Sequence, residues 1–298
     1  MRGMRYLFAF LIVSTFCWSA DLKIDHVTIA GTDLKALRDA FTAATGIPTE
    51  YGGPHANHAT EMALASFPDG SYLELMGIQP RADQQAVAAH SWSQFLRTNG
   101  GPCAFALRVP DVTAEIERMK KSGIHVGAAE KSGRTRPDGV KLSWETADVG
   151  PGARGMFFPF LIRDFTPREN RAFPSGKPTT NRFPGIAWVV IGVRSLDTAV
   201  AQYRKAFDLP VPKRQMDEAL AADLAWFEGS PVVLAAGRDP NSWLSRRIAR
   251  YGESPFAFVL ATTGGGGGGG RQQPSTWFGR SVFWADEARL GWRLGMLH

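Results

Sequence analysis

The chain has 298 residues, 44% hydrophobic and 21% charged, enough to bury a large core and incompatible with a disordered or fibrous polypeptide. Its 34 Lys and Arg against 28 Asp and Glu give a formal charge of +6. The excess is spread along the chain with no basic tract, so composition points away from a nucleic-acid partner. Its two cysteines, Cys17 and Cys103, form no CxxC or paired Cys/His spacing, which excludes zinc-finger and disulfide scaffolds.

Arg2 and Arg5 precede an apolar run over residues 6–13, and the small residues Cys17 and Ser19 allow cleavage before Ala20. This is the layout of a secretory signal peptide; the run is short for a bilayer span. Residues 1–19 are expected to be removed, leaving a secreted or periplasmic chain with no membrane partner and Cys103 as a buried thiol. An uncleaved anchor is the alternative.

The first strand is read over residues 24–30, followed by the cap Asp33 and a helix carrying Leu34, Leu37, Phe41 and Ala44 at helical spacing. Gly46 and Pro48 stop it. Three strands follow, around Glu50, over 61–67 and over 71–76, the last two joined by the Asp69-Gly70 turn. The order is βαβββ. It returns with a strand over 103–109, the cap Asp111, a helix presenting Val112, Ile116 and Met119, and strands expected over 125–128, 140–146 and 156–162. A third copy opens over 186–193, has Leu196, Val200, Tyr203 and Phe207 on its helix and closes over 231–235. The fourth is degenerate: Gly264 to Gly270 stand where the helix belongs, a run read as a flexible bridge, before strands over 280–284 and 292–297. The repeat is a pair of units used twice, with the Pro-rich stretch Pro167 to Pro184 as the linker. The expected division is residues 20–165, a linker over 166–184 and a second domain over 185–298.

These units resemble the glyoxalase-like domain family of the vicinal oxygen chelate superfamily. The resemblance rests on Asp25-His26-Val27, Gly52-Gly53-Pro54-His55 and Asp69-Gly-Ser-Tyr-Leu-Glu74 in the first unit. In the second it rests on Gly101-Pro102, Arg134 with Pro137-Asp138-Gly139, Trp144 and Pro159-Phe160-Leu161-Ile162. It implies an α+β fold in which paired βαβββ modules form curved half-open barrels, two in tandem, each around a cleft. It also implies a divalent metal held by the first and last strands of both units and chelated by adjacent oxygens of a small-molecule substrate. His26 and Glu74 occupy those places in the first unit. His26 lies seven residues before its helix cap; the same step from Asp111 reaches Ala104, and Trp188 replaces the histidine in the third unit. Val233 falls near its glutamate position.

The resemblance therefore leaves two readings open. In one, zinc, iron, manganese or nickel is held by His26 and Glu74, with His55 or His58 as a third ligand, and Glu74 or a metal-bound hydroxide removes a proton next to a carbonyl. In the other no metal binds, Glu74 hydrogen-bonds His26, and His26 acts as base. Arg134, Arg136 and His55 are the expected substrate contacts, a guanidinium offering paired donors to a carboxylate or phosphate; a solvated loop is the plainer reading of the two arginines. His90 and His125 read as structural, and the tryptophans as sheet packing before a cleft lining. The leading expectation is a secreted lyase, isomerase or ring-opening enzyme acting on a small oxygen-rich molecule. Its rival is a metal-free binding protein of the same fold. Residues 20–165 are expected to fold and bind alone. Nothing in the sequence sets the oligomeric state.

Overall fold

The computed structural model describes residues 22–263, 274–285 and 287–298; the signal-peptide expectation and the Gly264 to Gly270 run lie outside the described residues. In the first domain, β1 (Lys23–Ala30) leads into α1 (Leu34–Thr45), then β2 (Glu50–Pro54), β3 (Thr60–Ser66) and β4 (Tyr72–Ile78). The connector holds α2 (Gln84–Ala89) and α3 (Ser93–Arg97). The second module follows as β5 (Gly101–Arg108), α4 (Val112–Lys121), β6 (Glu130–Thr135), β7 (Lys141–Ala147) and β8 (Phe160–Asp164). After α5 (Arg168–Ala172) come β9 (Ile186–Val193), α6 (Leu196–Phe207), β10 (Lys213–Asp217), β11 (Ala222–Trp226), β12 (Val232–Gly237) and α7 (Trp243–Tyr251). The last module has β13 (Ser254–Ala261), β14 (Ser275–Trp277), β15 (Arg280–Trp284), α8 (Glu287–Leu290) and β16 (Arg293–Leu297).

The caps behave as their side chains dictate: Asp33 accepts from the Ala36 amide, Asp111 from Ala114 and Ser195 from Thr198. Gly46 takes the left-handed conformation that ends α1. The strands form two eight-stranded mixed sheets, ordered β2-β3-β4-β1-β5-β8-β7-β6 and β10-β11-β12-β9-β13-β16-β15-β14. These are the two tandem curved α+β domains the repeat implies.

β1 is central, parallel to β4 and antiparallel to β5, so both its faces are buried. Its Val27 and Ile29 join one core with α1, α4, α6 and the facing side of the second sheet. His26 and Thr28 face the other way. In the β1–β5 ladder Ile24 opposes Leu107 and His26 opposes Ala106. Asp25 is thus an unopposed bulge residue, which lets neighbouring side chains re-aim.

One expected strand is displaced. No strand forms over 125–128, where Val126 makes only an isolated bridge to Val149. The strand is β6, which is almost wholly exposed and so lacks the apolar alternation that marks a half-buried strand. Within the stretch read as the linker, α5 docks on the first domain with Arg171 and Ala172 buried. The expected boundary at 165 falls within a packed cluster. A cut at 165 removes Arg168 and Arg171, the partners of the fully buried Asp25, and the domains interlock elsewhere. Buried Arg247 of α7 donates to the carbonyls of Gly100 and Pro102, and Trp292 packs on Gly101.

The two concavities differ. In the second domain Trp188, Trp226 and Trp277 meet in a buried cluster with Leu224, Val233 and Val259, and Gln215 of β10 bonds the backbone of β14 at Thr276 and of the adjoining Phe278. That barrel is filled and nearly closed. In the first, one bond crosses between the edge strands, from Arg134 Nη1 of β6 to the Gly52 carbonyl of β2 (2.8 Å), and the concavity is open.

Candidate active site

The first concavity is a cleft of about 400 Å³. Pairing of Thr28 with Glu74 and of His26 with Tyr72 sets His26 and Glu74 on adjacent strands facing the cleft. His26 Nδ1 lies 2.6 Å from Asp25 Oδ1. Arg171 donates to both Asp25 oxygens (3.0 and 2.8 Å), to Asp164 and to the Tyr72 hydroxyl, and Arg168 adds a further bond to Asp25. Burial pushes the Asp25 pKa up, but Arg171, Arg168 and the His26 ring together hold it well below the usual carboxylate range. An ionised Asp25 accepts only, so His26 donates through Nδ1 and presents Nε2 to the cleft. The ring is clamped, stacked on Tyr72 at 4.9 Å and edge-on to Phe160 at 5.3 Å.

Glu74 accepts from the Thr28 hydroxyl (2.9 Å), with His55 Nε2 at 3.5 Å and His26 Nε2 at 4.0 Å. Burial raises its pKa, but the His55 hydrogen bond, the two imidazoles and Thr28 outweigh it and bring the group down to about 2. Such a carboxylate is a poor proton acceptor near neutrality and a good partner for an imidazolium. His55 is fixed by Nδ1 against the Thr60 hydroxyl at 2.8 Å.

The structure thus brings His26, Glu74, His55 and Arg134 to one cleft. It does not bring His58, which sits exposed at a turn with positive φ. Nor does it bring Arg136, which pairs with Asp138 and donates to the Asn170 and Pro174 carbonyls behind the cleft. Two lining residues were missed, His90 and Arg154, and Trp144 was read first as packing. His90 lines the wall, its pKa lowered by burial and by His55. Trp144 faces the cleft instead of serving only packing. Arg154, in a glycine-rich loop that carries no strand or helix pattern, stacks its guanidinium 4.1 Å above the Phe160 ring. Only the loop's basic residue signalled it.

The donors that the resemblance implies come from the first module alone. In the second module Ala106 pairs with Phe160, as Thr28 pairs with Glu74 in the first, so Phe160 stands at the second glutamate place and Ala104 at the histidine place. The first module supplies His26, Glu74 and His55, the last with Nε2 3.5 Å from Glu74, and among the described residues no group of three or more His, Cys, Asp or Glu is arranged to hold an ion. In the second domain the register pairs Val190 with Val233, and neither is a donor. A larger cavity of about 1430 Å³ lies between the domains. Much of its charge is matched within the protein, Arg118 with Glu115 and Arg168 with Asp164.

No curated protein matches this sequence. The fold is similar to that of a hypothetical protein from Staphylococcus aureus, at 13% identity over 92% of this chain and 98% of that one, with a TM-score of 0.62. It is also similar to a mutant 4-hydroxymandelate synthase from Streptomyces coelicolor, at 11% identity over 80% of this chain and 71% of that one, TM-score 0.53. Identities this low speak for the fold alone. Residues 24–207 match the glyoxalase-like domain family, and with its paired βαβββ modules the chain belongs to that family within the vicinal oxygen chelate superfamily.

Proposed function

We propose that the first-domain cleft is the active site of an enzyme that moves a proton on carbon beside a carbonyl of a small oxygen-rich molecule, as a lyase, isomerase or ring-opening enzyme. The observation that carries this reading is the His26 ring, its Nδ1 held 2.6 Å from buried Asp25 and its Nε2 open to the cleft. His26 Nε2 takes the proton. Glu74, ionised and 4.0 Å away, stabilises the imidazolium that results, and His26 Nε2 returns the proton at the next step. Arg134 and Arg154 line the same cleft and give it positive charge for an anionic ligand. Glu74 is thus an electrostatic partner in this reading, and His26 the base.

The test is hydrogen–deuterium exchange at C2 of 2-hydroxy acids and C3 of 2-oxo acids in D₂O, followed by NMR. Exchange by the wild type that falls by about a hundredfold or more in His26→Gln supports the reading; exchange unaffected by that variant overturns it. Elemental analysis runs alongside. Stoichiometric metal that disappears in both His26→Ala and Glu74→Ala replaces it with a metal-dependent one. The apolar Ala104 and Phe160 at the second module's donor places favour a second reading, a binding protein that holds its ligand unchanged; tight binding without exchange or turnover decides for it. The amino-terminal segment supports export, which amino-terminal sequencing of secreted protein beginning at Ala20 would test.

A further inference from the structure

Resting on that reading of the cleft, we infer that its ligand is an amphiphilic monocarboxylate, with an apolar, preferably aromatic, body against the second-module wall and its carboxylate on Arg134 and Arg154. The cleft has a polar end within an apolar lining. The first module presents His26, Glu74 and His55 beside Met62, Leu64, Tyr72 and Met76. The second presents Phe160, Ile162 and Trp144, which pack together with Ala106 as an apolar patch, along with Arg134 and Arg154. A ligand that satisfies both has a polar reactive end and an apolar body; a small hydrophilic oxo acid leaves the Trp144 wall uncovered.

The charges orient it. Glu74 is ionised and nine-tenths buried, so a ligand carboxylate is repelled from the reacting end. Arg134 supplies the attraction. It is partly buried, its one protein hydrogen bond is to the Gly52 carbonyl, and among the described residues it makes no ion pair with a carboxylate. Burial lowers its pKa without a compensating acid in contact. A guanidinium held by one Nη on a backbone carbonyl keeps its other donors for a planar acceptor. Arg154 is held from the other side, stacked on Phe160 and paired with the half-exposed Asp148 at 2.9 Å. One unpaired guanidinium and one whose partner is screened by solvent match a single negative charge better than a dianionic phosphate, which has to be desolvated beside Glu74.

The experiment is titration calorimetry of the full chain without its first 19 residues, with phenylacetate, phenylacetamide, acetate and phenyl phosphate as probes. Phenylacetate is expected to bind about tenfold to a hundredfold more tightly than the amide, the range for charge-assisted bonds, and more tightly than acetate or phenyl phosphate. Arg134→Gln and Arg154→Gln are expected to remove that preference, and Arg134→Lys to keep part of it, with unchanged circular dichroism showing that each variant folds. Glu74→Gln is expected to bind phenylacetate at least as well as the wild type while losing any proton exchange. Carboxylate binding without exchange in any variant would overturn the enzyme reading and leave this inference standing. Equal affinity for acid and amide, a preference for phenyl phosphate, or a preference that survives in both glutamine variants would overturn this inference, whether or not exchange is seen.

Discussion

Arg171, from the segment between the domains, donates to both carboxylate oxygens of Asp25, at 3.0 and 2.8 Å, and so holds from behind the residue that orients His26. With Arg168 and Asp164 the group is two acids and two bases, nearly all of it out of solvent. Removing one member leaves an uncompensated buried charge, which costs about 3–5 kcal/mol. Arg171→Met is therefore expected to lower stability by that amount in urea titration, and Asp25→Asn by a similar amount. A loss below about 1 kcal/mol in both, as for an exposed pair, would show that the cluster contributes no such stabilisation.

Glu74 makes acid stability measurable at the site. Its folded pKa is about 2, against 4.5 for the free group. A carboxylate with a depressed folded pKa binds fewer protons folded than unfolded, so its contribution is complete above 4.5 and is lost as pH falls towards 2. The shift is worth about 3 kcal/mol. The stability gap between wild type and Glu74→Gln is thus expected to shrink between about pH 5 and about pH 3; a constant gap in urea titrations at the two pH values contradicts the assignment.

The residues readable from sequence were those that break a pattern. His26 and Glu74 are polar in strands otherwise apolar, and such groups are costly to bury without a partner, so both stood out. Their spacing to the helix caps located Ala104 and Trp188 as the empty counterparts, and the register agrees. Asp25 was not readable, because strand alternation points adjacent residues to opposite faces. Only the bulge beside Leu107 puts its carboxylate on the His26 ring. Arg168 and Arg171 were hidden for another reason: they lie in a stretch whose prolines read as a linker, and their partners are 143 and 146 residues away. The exposed β6 carried no periodicity at all, which displaced a predicted strand by several residues.

The same connection makes the domain boundary testable. A fragment of residues 22–165 leaves Asp25 without either arginine and is expected to be aggregated, or at least markedly less stable than one of residues 22–183, which restores Arg168, Arg171 and the bonds between Thr179 and Ser66. Comparing thermal unfolding of the two fragments by circular dichroism separates this effect from exposed interdomain surface, which both share. Equal midpoints would show that the segment stabilises nothing.

Arg247 tests the coupling of the domains. It is buried, donates to the carbonyls of Gly100, Pro102 and Pro255, and lies over the Tyr251 ring at 4.9 Å. Burial lowers its pKa to about 10, a sign that no acid in contact offsets the desolvation. Arg247→Ala strands carbonyls at the start of β5 and in β13, each unsatisfied group costing about 1–3 kcal/mol. A single, lowered unfolding transition is expected; an unchanged Tm would mean that the domains are held by apolar packing alone.

The filled second barrel predicts an asymmetry between the two halves. Trp188 stands in β9 where His26 stands in β1, and it packs against Trp226, Trp277 and Phe278 in the space that is a cleft in the first domain. Trp188→Ala opens a cavity in that core, at a cost of about 3–5 kcal/mol, and touches no residue of the first cleft. Stability is expected to fall while the affinity of the folded protein for phenylacetate stays within about twofold, a change equivalent to roughly 0.4 kcal/mol. If affinity fell along with stability at temperatures where the variant is fully folded, the second domain would be shaping the first cleft, and the separation of a supporting half from a working half would fail.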